Sequence, residues 1–168
     1  MIIVEQVEQA TPQLAINLGK IMPFLSDEHD GSPINLDCLM STVASLDSEQ
    51  LVARVVDPET EGEHELLSRY KIIGAATVST MHGATGEKAW LEDFVVVPDA
   101  KALGVYGVAQ NIWDGITQWR LENSLFQMRF NSTTDRVRAH GFYNKNGCKV
   151  LATGMTTLFV HNLEKPTS

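Results

Sequence analysis

The chain has 168 residues, 43% of them hydrophobic and 20% charged, with 12 Gly, 6 Pro and a formal net charge of −8. That composition reads as a single globular domain over residues 1–168; it excludes disordered and collagen-like classes, and a chain this acidic is a poor partner for nucleic acid. No apolar run approaches the ~18 residues of a membrane span, and the first eight residues hold Glu5 and Glu8 but no base, unlike the basic start of a signal peptide, so the expectation is a cytoplasmic protein with no membrane partner.

Ile2 to Val7 reads as a short strand. Thr11 before Pro12 is an N-cap with proline at the first helical position, and Leu14, Leu18, Ile21 and Leu25 follow at helical spacing. After a polar loop from Asp27 to Pro33, Asn35 caps a second helix with Leu36, Leu39, Met40 and Val43 on one face. Strands are expected over Gln50 to Val56, Arg69 to Met81 and Lys88 to Val97, the last closed by Pro98. Between the first two of these lies an acidic loop with Asp57, Glu59, Glu61, Glu63 and Glu65. Gly104 opens the clearest helix, with Val105, Val108, Ala109, Ile112, Trp113 and Ile116 in register. Phe126 to Phe130 is a strand, Asp135 to Asn146 a helix stopped by Gly147, and two β segments surround Gly154, the second from Met155 to His161. The order predicts a mixed α/β fold around one sheet.

Charge divides the chain. Residues 1–100 hold 5 bases and 17 acids, whereas residues 101–168 hold 8 bases and 4 acids. The functional reading is an anionic ligand toward the C-terminal half and a cationic one toward the N-terminal half; the plainer reading is solvated surface. Cys38 and Cys148 stand apart with no Cys-x-x-Cys or Cys/His ligand spacing, which points to neither a disulfide framework nor a metal site.

The stretch Trp90-Leu91-Glu92-Asp93-Phe94-Val95-Val96-Val97-Pro98 followed by Lys101-x-x-Gly104 is a buried strand, a turn and a helix start. A helix N-terminus presents unpaired N–H groups and the positive end of a dipole, so it suits an anion, and Lys101 adds a cation. Glu92 and Asp93 are candidate bases; strict alternation puts them on opposite faces, which favours Glu92 alone in a cleft.

This segment resembles motif A of the GNAT superfamily of N-acetyltransferases, whose loop reads Arg/Gln-x-x-Gly-x-Gly/Ala. Arg136-Val137-Arg138-Ala139-His140-Gly141-Phe142-Tyr143, continuing to Gly147 and Cys148, resembles motif B, and the two blocks stand in the family's order. The resemblance implies a GNAT-like mixed sheet flanked by about four helices. It implies acetyl-CoA as co-substrate, no metal, and an acetyl group passed by direct attack to a primary amine of a small molecule or peptide end. It leaves room for a homodimer. Backbone groups of Phe94, Val95 and Val96 would pair with the pantetheine arm. The turn of Lys101, Ala102, Leu103, Gly104, Val105 and Tyr106, with Gly107, would hold the pyrophosphate. Tyr143 would protonate the leaving thiolate. Apart from the resemblance, helical spacing puts His140 on the face of Tyr143, to orient the phenol, to contact ligand, or as a surface or packing residue. Lys101 stands where the family has Arg or Gln, Ala102 where Gly is frequent, Tyr106 where it has Gly or Ala, and Arg136 where many members have Asn. Those departures support an alternative, a non-catalytic CoA-binding or regulatory module of the same fold.

Overall fold

The computed structural model describes residues 1–45, 47–55, 70–102, 104–154 and 156–164, so the acidic run from Asp57 to Glu65 lies outside the described residues. In chain order the elements are β1 (Ile2–Gln6), α1 (Pro12–Gly19), a 3-10 turn (Met22–Phe24), α2 (Leu36–Ala44), β2 (Ser48–Val55), β3 (Gly74–Met81) and β4 (Lys88–Val96). They continue with a short helix α3 (Asp99–Ala102), then α4 (Val108–Glu122), β5 (Gln127–Thr133), α5 (Val137–Lys145), β6 (Lys149–Thr153) and β7 (Thr156–Asn162). The seven strands form one sheet in the order β1-β2-β3-β4-β5-β7-β6. Every neighbouring pair is antiparallel except β4 and β5, which run parallel and are joined by the α3–α4 crossover.

Local chemistry accounts for most boundaries. The Thr11 side chain accepts from the N–H of Leu14, and that of Asn35 from Cys38, so both caps expected from the sequence are made. Gly147, at φ +78, stops α5. The third strand begins at Gly74 rather than Arg69, and α5 at Val137 rather than Asp135. Gly104 does not open the long helix: its φ of +79 is left-handed, and α4 starts at Val108 behind Gly107. Met40 points outward from α2 at 52% exposure, leaving Leu39 as the residue that helix buries.

Alternation along the strands splits the core in two. Leu51, Ala76, Val78 and Leu91 face α4, meeting Val108, Ile112 and Ile116. Val52, Ala75 and Val95 face Ala15 and Leu18 of α1 and Leu39 of α2. The loop after the 3-10 turn lies tightly on α1, because Gly19 has no side chain; a Cβ there would come 2.1 Å from the carbonyl oxygen of Ser32.

Arg120, near the end of α4, is fully buried. Its guanidinium donates to the carbonyls of Leu125, Phe126 and His161 and to Nδ1 of His161. Arginine can only donate, so Nδ1 of His161 is unprotonated, and burial and the adjacent cation both lower that histidine's pKa. Burial brings Arg120 itself down to about 10, which leaves it charged at neutral pH. One side chain thus ties the end of α4 to the start of β5 and the end of β7.

Glu49 shares the α4 face with Leu51 by alternation and is 5% exposed. Burial pushes its carboxyl up to about 7. The folded chain therefore holds this proton to higher pH than the unfolded chain, and stability falls as pH rises from about 4.5 to about 7. Glu49→Gln removes the buried charge. It should raise stability at pH 8 by about 1–2 kcal/mol and change little at pH 4.5. Urea midpoints at the two pH values check this; equal midpoints for both proteins at pH 8 would contradict it.

Candidate active site

The site begins where the sheet fails to close. The β4–β5 ladder holds at two residue pairs, Ala89 with Met128 and Trp90 with Arg129. Beyond Trp90 the strands part, and the edge of β4 from Leu91 onward, which includes Phe94, Val95 and Val96, has no partner from β5. Aromatic rings fill the floor of the gap. Tyr143 of α5 stands 4.6 Å from Phe130 of β5 and 6.4 Å from Phe94 of β4, centroid to centroid, and Phe94 stacks on Phe142 at 5.7 Å.

A second irregularity sits at the same place. Thr77 pairs with Asp93 and Val78 with Leu91, so Glu92 is an extra residue, a β-bulge on β4. The bulge overturns the alternation argument. Glu92 lies 3.5 Å from Oγ of Ser79 and Asp93 lies 3.3 Å from Oγ1 of Thr77. Thr77 and Ser79 are two apart on β3 and share a face, so both carboxylates are on the face that also carries α1 and α2. Glu92 is exposed and lines the gap; Asp93 is half-buried. Burial raises the pKa of Asp93, against smaller opposing effects of the Thr77 contact and of His29 in the loop before α2.

Three connected hollows make one groove. A 210 Å³ cavity between the parted strands is bounded by Ser26, Glu92, Asn131, Arg136 and Tyr143. It shares Phe94, Arg136 and Tyr143 with a 720 Å³ cavity along α5 that also meets Lys101 and Arg138. That cavity shares Val96, Lys101 and Phe142 with a 320 Å³ cleft at the start of α4, beside Tyr106, Gly107 and Lys145. The groove is cationic at the α4 end, with Lys101 and Lys145, and carries Glu92 and Arg136 together at the parted strands.

The structure brings most of the sequence candidates to this groove. Gly104 and Gly107 both take left-handed φ, +79 and +82, which lets the turn reverse twice ahead of α4. The first intrahelical bond of α4 runs from Asn111 to Gly107, which leaves the N–H groups of Val108, Ala109 and Gln110 without an intrahelical partner, whereas those of Gly104 and Val105 are used inside the turn. Tyr106 is 67% exposed and stands at the rim of the α4 cleft. Val105 lines the same cleft and packs against the core. Ala102 closes the short helix α3, and Leu103 lies outside the described residues.

Tyr143 is 6% exposed and burial pushes its phenol up to about 12. Its hydroxyl has no hydrogen bond among the described residues yet is not sealed off, so it opens on the cavity. His140 does not orient it: that ring accepts or donates at Oγ of Ser132, 3.2 Å away, and packs edge-on against Phe159. Sequence reasoning missed the shared face of Asp93, and it missed Arg136, Arg138 and Lys145 as groove cations. The available signal for these was their spacing along one short helix after a strand.

No family model matches the chain, and no curated protein matches it. Solved structures do. A putative acetyltransferase of the GNAT family from Desulfovibrio desulfuricans superposes with a TM-score of 0.69 at 14% identity, covering 96% of this chain and 99% of that one. The PaiA N-acetyltransferase of Thermoplasma acidophilum, in complex with coenzyme A, gives 0.69 at 14% identity over 97% and 99%. An aminoglycoside acetyltransferase from a soil metagenomic sample gives 0.67 at 14% identity over 91% and 90%. At such identities the likeness is one of fold, and the chain has the GNAT fold, a mixed sheet flanked by helices. Among the described residues no cluster of His, Cys, Asp and Glu could hold a metal, and no helix is long and apolar enough to cross a membrane.

Cys148 is buried, and burial pushes its thiol up to about 12, whereas Cys38 is exposed on α2. A disulfide reagent should therefore label one thiol rapidly in the native protein and two in denaturant, with peptide mapping placing the fast site at Cys38. Rapid native labelling at Cys148 would show that the sheet around it opens.

Proposed function

We propose that this chain is an acyltransferase that passes an acetyl group from acetyl-CoA to a primary amine of a small molecule or peptide end. The observation that carries the reading is the two-pair β4–β5 ladder, which leaves an open strand edge in the sheet directly above Tyr143. An extended ligand arm can pair there as an added strand would. Phe94, Val95 and Val96 supply that edge. The pyrophosphate sits on the N–H groups of the first turn of α4, just past Gly107, with Lys101 as its cation and Arg136, Arg138 and Lys145 along the same groove.

The thioester carbonyl then lies at the parting of the strands, with the amine approaching from the side of Glu92 and the loop from Ser26 to Asp30. Attack needs a neutral amine, hence a proton acceptor, and the two carboxylates on one face provide it. Collapse releases a thiolate, which takes a proton from the Tyr143 hydroxyl; a phenol held up to about 12 is fully protonated at neutral pH. A thiol held up to about 12 gives almost no thiolate, which favours direct attack by the amine over a covalent intermediate on Cys148. The exposed Tyr106 at the rim of the α4 cleft is the feature that favours the alternative of a non-catalytic CoA-binding module.

Isothermal titration with acetyl-CoA, followed by a thiol-release screen of amine acceptors, separates the two. Binding with turnover on at least one amine supports the enzyme, and binding with none supports the module. Tyr143→Phe should lower kcat at least tenfold, by about 1.4 kcal/mol or more in barrier, with a normal unfolding transition; unchanged turnover would remove Tyr143 from the chemistry.

Lys101→Ala should raise the acetyl-CoA KM more than it lowers kcat, and the wild-type KM should rise with salt, since the contact is partly Coulombic. Replacing Asp27, Glu28 and Asp30 together by Asn, Gln and Asn should raise the KM of a cationic acceptor several-fold and leave that of acetyl-CoA alone. An unmoved acceptor KM would leave these acids as solvated surface.

A further inference from the structure

On top of the acyl-transfer reading, on which this rests, we propose that the acceptor is a small amino acid, a zwitterion whose carboxylate is held by Arg136 while its ammonium meets Glu92. Glu92 of β4 and Arg136, the N-cap residue of α5, both border the 210 Å³ cavity between the parted strands. They share it without touching: among the described residues no ion pair joins them, and the half-buried Arg136 guanidinium makes no side-chain hydrogen bond. The neighbouring Asp135 does not take up that charge. It is fully exposed, and its carboxyl is held below the usual range chiefly by Thr133 and only secondarily by Arg136.

Two opposite charges on the walls of one small space select what can fill it. A plain alkylamine is a cation before it reacts, and here it would lie against the Arg136 guanidinium as well as the Glu92 carboxylate, at a cost in repulsion. An anion without an amine has no nitrogen to acetylate. A molecule that carries both charges satisfies both walls. The guanidinium fork matches a carboxylate with two parallel hydrogen bonds, a geometry an ammonium cannot use. Size points the same way: 210 Å³ lies below the ~300 Å³ at which pockets for drug-sized ligands begin. Of the segment that follows the 3-10 turn, Leu25 and Ser26 border the cavity. Asp27, Glu28 and Asp30 stand outside it, where they can draw an ammonium in without cancelling Arg136.

Arg136 stands where the acetyl group would change hands. Lys101 and Lys145 border the cleft at the start of α4, and Arg136 does not; it borders the two cavities that meet at Phe94 and Tyr143. Burial raises the Tyr143 pKa, and the field of Arg136 is what opposes it, so the guanidinium faces the phenol. In the step itself the amine nitrogen forms a bond to the thioester carbon, and the C–S bond breaks with its electron pair on sulfur. The nitrogen gives up two protons, one to solvent and one in exchange for the proton that Tyr143 passes to sulfur. The product keeps its carboxylate and has lost its ammonium. Glu92 then faces a neutral amide, so an acetylated amino acid binds less well than the free one and leaves.

The experiment measures thiol release from acetyl-CoA with a panel of small amino acids, each beside its own carboxamide, and with plain alkylamines. A carboxamide keeps the amine and the shape and loses the negative charge. Its amine is also the less basic, so without recognition of the carboxylate it is the better acceptor at neutral pH. The wild type should prefer at least one amino acid over its carboxamide by about tenfold or more in kcat/KM. Arg136→Met should bring that ratio to about one or below, chiefly through the acceptor KM. Arg136→Lys keeps a point charge and should retain part of the preference. Should Arg136→Met fail to fold, Arg136→Gln carries the test. A wild type that prefers the carboxamides or the alkylamines overturns the proposal and leaves acyl transfer standing. An equal loss for both members of each pair, with a raised acetyl-CoA KM, makes Arg136 a cofactor contact and overturns the proposal too. If the wild type transfers no acetyl group to any acceptor, the acyl-transfer reading fails and the amino-acid acceptor falls with it.

Discussion

Everything in this molecule that could do chemistry depends on β4 and β5 parting after two residue pairs. Leaving strand edges unpaired inside a sheet is costly, because each N–H and C=O left without a partner must find one. The rest of the fold holds that opening in place. On its far side β5 pairs with β7 over its whole length, from Gln127 to Thr133. At its start it is fixed by Arg120, whose guanidinium takes the carbonyls of Leu125 and Phe126. On the near side β4 is held by β3 from Lys88 to Val96. Phe94, Trp113, Phe130, Phe142 and Tyr143 then pack as one cluster that fills the floor of the gap. The strands cannot zip shut without expelling those rings from the core. On the acyl-transfer reading, an extended ligand arm is what satisfies the open edge.

The bulge at Glu92 is the counterpart of that opening. It sets two consecutive acidic residues on one face, at the point where the strands begin to part. Their surroundings then separate them. Glu92 stands in the open cavity, and Asp93 lies lower among uncharged polar groups of β2 and β3. Two like charges side by side cost less when one of them is easily protonated.

Much of this was legible in the sequence, and the gaps have physical causes. The caps at Thr11 and Asn35, the stop at Gly147 and the helical face from Val108 to Ile116 are local signals and read correctly. The order of the two motif blocks carried the GNAT fold. The faces of Glu92 and Asp93 did not read, because a bulge is a property of two strands and nothing in Leu91-Glu92-Asp93 marks it. Gly104 reads as a helix start in the sequence, since a glycine before an amphipathic run suits either a turn or a cap. The groove cations Arg136, Arg138 and Lys145 were invisible as a group until α5 was laid beside α4. Arg120 looks like any helix-surface arginine in sequence, and its burial is purely tertiary.

The turn before α4 shows how the fold tolerates its own departures from the family pattern. On the acyl-transfer reading the groups that meet an anion there are backbone N–H groups, and what they need is a chain reversal just ahead of the helix. Two left-handed glycines, Gly104 and Gly107, supply it here, with Gly107 one place beyond the position the family motif uses. The shift leaves Tyr106 outside the reversal, at the rim, so its ring need not occupy the space in front of the helix. Lys101 is a single point charge and lacks the fork of an arginine. Arg136 and Arg138 restore guanidinium groups to the same groove from the opposite wall. Cationic side chains thus enter the groove from α5 and its N-cap, the helix that also carries Tyr143.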